Sequence, residues 1–421
     1  MNIKSLLLGS AAALVAVSGA RAADVIVPVA PEPVEYVKVC DVYGTGFYYI
    51  PGTETCLSIG GYVRYQINAF SKVEDDFGTN YLFNNEGTNY LVGSQVRVRL
   101  NFDAREETEL GTLRAFARVQ ATNSFGAYSA DQAYAMDQGY IQLGGLTMGY
   151  LDSLWTEDDG LLTDTDLALG DYQTNRISYT YASNGFSAAL AIEDDASGDW
   201  RPDVVGRLAY AGGWGRVYIA GSYDEREAGG LISNRYAVNT GLPGDFFISD
   251  FDQGRNDGAF ALKGGLSLKD LIATDSELRI EGGYAFDPSS YMTIGLFNTS
   301  TVGTTLVGTL AGTPLPVEWQ VGAGYSQSFG KLGVALSGAY GETFAIDGVT
   351  AVGPTTVADL GRGKYYKIVG NVGYEITKNF DMLAEVSYAN IDFDGTNTAV
   401  SDFSGNSVDQ TAGFLRFVRS F

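Results

Sequence analysis

The sequence predicts an all-β fold, a 16-stranded antiparallel transmembrane β-barrel with short turns at one end and long loops at the other. Three features predict it: an N-terminal export signal, strands that alternate apolar and polar residues, and connections that are alternately tight and long.

The export signal comes first. Lys4 supplies the positive start, and Leu6 through Val17 form a short apolar run. Ala20-Arg21-Ala22 fits the small-x-small cleavage rule. The run is too short to span ~30 Å of hydrocarbon as a helix. The reading is therefore a signal peptide over 1–22, whose removal takes away Lys4 and Arg21 and leaves the rest more acidic. Cys40 and Cys56 then enter a compartment that permits disulfides. A Cys40–Cys56 bond would close a short loop; the other reading is two buried thiols. Residues 23–57 read as a periplasmic N-terminal segment, opening with an extended Pro-rich tether and serving either as a flap or as a plug near the barrel foot. The barrel is expected over 58–421.

Alternation is clearest from Gln95 to Arg105. Val96, Val98, Leu100, Phe102 and Ala104 fall on one face, and Gln95, Arg97, Arg99, Asn101, Asp103 and Arg105 on the other. Val63, Tyr65 and Ile67 against Arg64, Gln66 and Asn68 repeat the pattern. So do Leu113, Ala115, Ala117 and Val119 against Arg114, Arg118 and Gln120.

Tight connections occur at Gly144-Gly145, Ser183-Asn184-Gly185, Gly212 to Gly215, Gly330 to Gly333 and Lys378-Asn379. Long ones cover roughly 71–93, 123–135, 151–171, 194–202, 225–257, 287–316, 341–363 and 389–411. A soluble sandwich rarely carries so many long loops, whereas an outer-membrane barrel does. Sixteen strands close without an edge and leave an aqueous channel. Tyr62, Tyr65, Tyr179, Tyr181, Tyr365 and Tyr366 suit interfacial girdles.

Composition narrows the chemistry. The chain has no His, so neither a Ser-His-Asp nor a Cys-His nucleophile can form, and no His-containing zinc site can. Two Cys cannot complete a Cys-only zinc site. No enzyme activity, cofactor or metal is expected. A net charge of −23 argues against nucleic acid as a partner. The acidic outer loops suit either divalent ions that bridge to lipopolysaccharide phosphates or plain solubility.

The motifs resemble a known family. Met1 to Ala13, Val34 to Asp41, Ile50 to Leu57, Gly61-Tyr62-Val63-Arg64-Tyr65, Thr108 to Leu113, Tyr140 to Leu146 and Phe414-Leu415-Arg416-Phe417 are similar to the porins of alphaproteobacterial outer membranes. The resemblance implies general diffusion of small hydrophilic solutes, a homotrimer in outer-membrane lipid, and a third long loop folded into the lumen. The terminal strand, with Phe417 and Phe421, resembles the signal read by the barrel assembly machinery. Arg419 interrupts its apolar face but can snorkel to water at the membrane edge.

The loop 151–171 would then be the pore constriction. It carries Asp152, Glu157, Asp158, Asp159, Asp164, Asp166 and Asp171 and no Lys or Arg. Interleaved Leu154, Trp155, Leu161, Leu162, Leu167 and Leu169 suit a loop packed on the wall on one side and wet on the other. Arg64, Arg97, Arg99, Arg114 and Arg118 are the expected basic wall across the water, with Asp103 and Asp171 available to pair with some of them. Arg105 is expected to form an ion pair at the periplasmic turn. Such a pore has a transverse field and a weak cation preference that falls as salt rises. A substrate-selective lumen track and a non-channel adhesin are the alternative readings.

Overall fold

The computed structural model describes residues 38–72, 74–75, 90–123, 133–195, 200–225, 258–297, 314–345, 349–350, 357–358, 361–395 and 407–421. The expected signal peptide 1–22 lies outside them.

Sixteen strands form the wall. They are β1 (Cys56–Ser71), β2 (Tyr90–Thr108), β3 (Gly111–Thr122), β4 (Ala135–Leu143), β5 (Leu146–Asp152), β6 (Gln173–Ser183), β7 (Phe186–Glu193) and β8 (Asp203–Gly212). Then come β9 (Gly215–Asp224), β10 (Ala259–Lys269), β11 (Ser276–Ala285), β12 (Leu315–Phe329), β13 (Leu332–Thr343), β14 (Gly363–Thr377), β15 (Phe380–Phe393) and β16 (Ser407–Ser420). Each pairs antiparallel with the next. β16 returns to β1 in the register Tyr62↔Ser420 through Phe70↔Ala412, so the barrel is closed. Closure satisfies every ladder within the wall, which a lipid-embedded sheet requires.

Alternation sets the two surfaces. Val63, Tyr65, Leu113, Ile141, Ile177, Tyr179 and Leu336 are exposed on the outside, while their strand neighbours face the lumen. Tyr65, Tyr179 and Tyr181 lie on the outer surface as expected. Tyr62 and Tyr365 do not: Tyr62 faces inward beneath Arg99, and Tyr365 is completely buried. Both sit on the lumen-facing parity of their strands, which composition alone did not weigh.

The segment before the barrel is a small disulfide-bonded hairpin at the short-turn end. Cys40 and Cys56 are bonded with their Cα atoms 6.0 Å apart. A strand Phe47–Tyr49 pairs with the first residues of β1, where β16 has already ended. Tyr43 Oη donates to Glu107 at 3.0 Å and Thr55 Oγ1 to Glu106 at 3.2 Å, pinning the hairpin to the β2–β3 turn.

Candidate functional site in the lumen

The connection from β5 to β6 leaves the wall and enters the barrel. Ser153 caps a single 3-10 turn, Leu154–Thr156, its Oγ accepting from the Trp155 N–H at 3.1 Å. The fully buried Glu193 of β7 accepts from the Leu154 N–H and the Ser153 hydroxyl, both at 2.8 Å. That carboxylate fixes the direction in which the loop departs.

Apolar packing carries the loop across. Leu154, Trp155, Leu161, Leu167 and Leu169 are no more than 2% exposed. They pack on Ala191, Val205, Ala220, Ala261 and Ala285, small residues on the inner faces of β7 to β11. Burying each large side chain contributes roughly 1.5–3 kcal/mol. The Trp155 indole N–H donates to the Leu169 carbonyl at 2.9 Å, so the loop also closes on itself. Glycines make room in the wall. A Cβ at Gly324 would overlap the Leu161 carbonyl oxygen, and one at Gly322 would press on the Leu161 side chain.

A second segment, 288–297, also folds inward and backs the first. Tyr291, Met292, Ile294 and Leu296 join the same buried cluster. The Tyr291 hydroxyl is 3.1 Å from both Glu193 and Asp203. Gly170, in the left-handed region at φ 65°, passes so close to the Tyr291 backbone that no side chain fits there.

The loop's carboxylates divide into two groups. Asp158, Asp159 and Asp164 are tied to wall cations. Asp158 adopts φ 65° and pairs with Arg207 at 2.5 Å and with Arg216. Asp159 pairs with Lys263 at 3.2 Å; the Lys263 ammonium also sits 4.9 Å from the Trp155 ring centre. Asp164 pairs with Arg416 of β16 through both oxygens, at 2.5 and 2.6 Å. The Glu385 carboxylate of β15 accepts the Asp164 and Thr165 N–H groups at 2.8 Å. The loop thus reaches from β5 to the far side of the barrel.

The other four are held by amide groups, lie at the edge of ion-pair range or face water. Asp166 accepts the Leu161 and Thr163 N–H groups. Asp152 accepts from Gln138 and Gln173 at 2.8 Å. Glu157 is 51% exposed and lies 4.0 Å from Arg207, and Asp171 is exposed. Burial raises the carboxyl of Asp159 to about 7 despite Lys263, with Glu281 and Asp171 adding to the rise. Burial also raises the Asp166 carboxyl above the usual carboxylate range.

The five expected basic residues line the opposite wall. Arg97 donates to Thr122 at 2.8 Å, and Arg99 to Gln120 at 2.8 Å. Arg114 and Arg105 both clamp Asp103, at 2.7–3.0 Å. Arg105 therefore pairs inside the strand face rather than with the turn glutamates, because its own parity points it at Asp103. Arg118 pairs with Asp137, which a bulge between Arg118 and Val119 brings to the lumen. Arg64 lies directly across from Arg97. These side chains are 20–27% exposed where an ion pair defines them, so water reaches this wall.

Sequence reasoning missed the loop's anchors: Arg207, Arg216, Lys263, Glu193, Glu385 and Arg416. Their signal was present as charged residues on the lumen parity of β7 to β16. It also missed the segment 288–297.

Comparison with known proteins agrees with this geometry. A family model described as "Porin subfamily" matches residues 24–414. Porin Omp2b of Brucella canis is 44% identical over 250 residues, covering 53% of this chain and 66% of that protein. Porin Omp2b of Brucella suis biovar 1 is 42% identical over the same length. The alignment thus spans just under two thirds of these relatives. Among solved structures, the outer membrane channel DcaP of Acinetobacter baumannii superimposes with a TM-score of 0.58 at 13% identity, covering 89% of this chain and 99% of that one. That likeness speaks for the barrel alone. The closed barrel, its inward loop and the family match agree: the chain belongs to the porin subfamily and is an integral β-barrel of the outer membrane.

Proposed function

We propose that the protein is a passive, non-enzymatic channel for small hydrophilic solutes and ions across the outer membrane, with a weak cation preference. The observation that carries this reading is the uncovered lumen wall. The loop 153–172 packs on one side of the barrel, while the arginines of β1 to β3 remain in contact with water on the other. The loop carboxylates and the arginine wall then act as the two charged sides of the constriction, giving cations and anions separate lanes. Acidic loops and a net charge of −23 tip the balance towards cations.

A homotrimer fits the wall heights. β5 has only seven residues. That is roughly 24 Å of strand, or about 17 Å of height at the usual tilt, against an apolar band of about 25 Å. Met136, Ile141, Met148 and Ile177 are exposed on this low stretch. Neighbouring copies would cover it better than lipid. At the C-terminus, Phe417 stacks on Phe380 on the outer surface, and the Phe421 backbone exchanges 3.1 Å hydrogen bonds with Gly61. That placement suits a terminal strand read by the assembly machinery as it joins β1.

The test is a planar bilayer holding the purified protein under a salt gradient. Ohmic steps in threes with a small cation-selective reversal potential support the reading. Folded protein that conducts nothing overturns it. A selectivity unchanged by D158N/D159N would take this loop out of the conduction path.

A further inference from the structure

The arginines of the open wall are seated on aromatic rings. Arg105 lies 5.7 Å from the Tyr43 ring centre and 5.0 Å from that of Phe47, both supplied by the disulfide hairpin. Arg114 lies 5.1 Å from Phe116 and 5.3 Å from Tyr140, and those two rings stack on each other at 5.1 Å. Arg99 lies 5.2 Å from Tyr62, and Arg416 lies 4.3 Å from Phe414. All these rings have the lumen parity of their strands, or come from the hairpin over the lumen face. A guanidinium over a ring directs its donors outward in its own plane, where a carboxylate can reach them.

The carboxylates divide this wall into three stations. Asp103 is shared by Arg105 and Arg114, and Asp137 by Arg99 and Arg118. Asp164 of the loop meets Arg416, beside Arg64 and Arg97. Each station therefore holds more guanidinium than carboxylate, although the protein as a whole is strongly acidic. In the first station Arg105 and Arg114 bind Asp103 through Nε and Nη2. Among the described residues, Nη1 of each has no hydrogen-bond partner.

We propose that this wall is a binding track for small planar carboxylates, above all arene carboxylates. The carboxylate takes the spare guanidinium donors, and the ring stacks on the guanidinium faces and on Phe116 and Tyr140. The three stations offer successive sites of the same chemistry. This rests on the channel reading and names a solute class for it.

The test compares benzoate with cyclohexanecarboxylate, which has the same charge and similar size but no π face. Each is added to single channels of the full protein in a KCl-bathed planar bilayer. Benzoate is expected to interrupt the current in a saturable way, with a half-saturating concentration roughly three- to tenfold lower than cyclohexanecarboxylate. F116L/Y140L is expected to erase the difference. Normal KCl conductance with equal effects of the two acids overturns the track but leaves the channel intact. Folded wild-type protein with no KCl conductance overturns both. If the variant loses heat-modifiable migration and so has not folded, the wild-type comparison of the two acids decides alone.

Discussion

The two sides of the lumen obey the same alternation and end differently. On β1 to β4 the inward positions hold Arg, Gln, Asp and aromatic residues, and water reaches them. On β7 to β12 Ala, Gly, Ser and Val alternate with charged residues such as Glu193, Arg207 and Lys263 that find partners in the inward segments, and protein covers them. Large charged side chains keep a surface wet because burying them without partners is expensive. Small side chains leave depth for a loop to occupy. Depth left by small side chains, together with charges that pair with the loop, therefore decides which half of the barrel is covered.

The sharpest way to break the contrast is to take the loop off its wall. W155A should cost about 3–5 kcal/mol of local packing, because the indole is completely buried and anchors the loop to Tyr291 and Lys263. The barrel ladders do not depend on it. We expect unchanged heat-modifiable migration, faster proteolysis within 153–172 and a larger, noisier conductance. G324V should act in the same direction by placing a side chain where the Leu161 backbone now sits. Unchanged conductance in both variants would mean that the loop does not limit the pore.

The hairpin is the next lever. Its disulfide closes a loop across 16 positions of sequence separation, which constrains the unfolded chain by about 3 kcal/mol. Both sulfurs lie in a buried cluster with Phe47. C40S/C56S should release Tyr43 and Phe47 from Arg105 while the barrel stays folded. Earlier proteolysis between residues 38 and 55 than in the barrel would show it. Equal resistance would show that the pairing with β1 holds the hairpin unaided.

Much of this was legible in the sequence because strand alternation is a local signal. The sixteen strands lie within a few residues of the expected segments, and Arg64, Arg97, Arg99, Arg114 and Arg118 take the lumen side by parity alone. The loop's partners were not legible. Asp164 and Arg416 are 252 residues apart, and Thr163 and Ser337 are 174 apart. No local pattern pairs residues across a barrel. The acidic loop therefore read as one uniform charged surface, whereas three of its carboxylates are held closely by cations of the wall and a fourth, Glu157, lies 4.0 Å from Arg207. The bulge that turns Asp137 inward also breaks a strict period of two.

Asp164 sharpens the contrast electrostatically. It is the loop carboxylate that touches the arginine side of the lumen, bridging to Arg416 beside Arg64. D164N should leave Arg64, Arg97 and Arg416 less compensated and shift the reversal potential towards anions. Neutralising Asp166 should do less, because that carboxylate is turned into its own loop. Equal shifts from the two variants would mean that only the loop's total charge matters, not which wall each residue meets.

The smallest expected effect is a pH dependence at Asp159. Its carboxyl is raised from 3.8 to about 7 by burial, against the pull of Lys263. The folded loop therefore holds this proton more tightly than an unfolded chain would. The stabilisation is complete below about pH 3.8 and is lost as pH rises through about 7. Selectivity runs the other way, since the same deprotonation adds a negative charge to the covered wall. The groups around Asp159 are Lys263, Glu281, Asp171, Tyr218 and Arg279, and Lys263 bonds it directly. Much of the new charge is therefore compensated within the pair. A small gain in cation preference is expected between about pH 6 and pH 8, together with slightly faster loop proteolysis at the upper end. D159N should flatten both curves. A flat selectivity in the wild type with sloping proteolysis would confine this proton to packing and leave ion choice to the opposite wall.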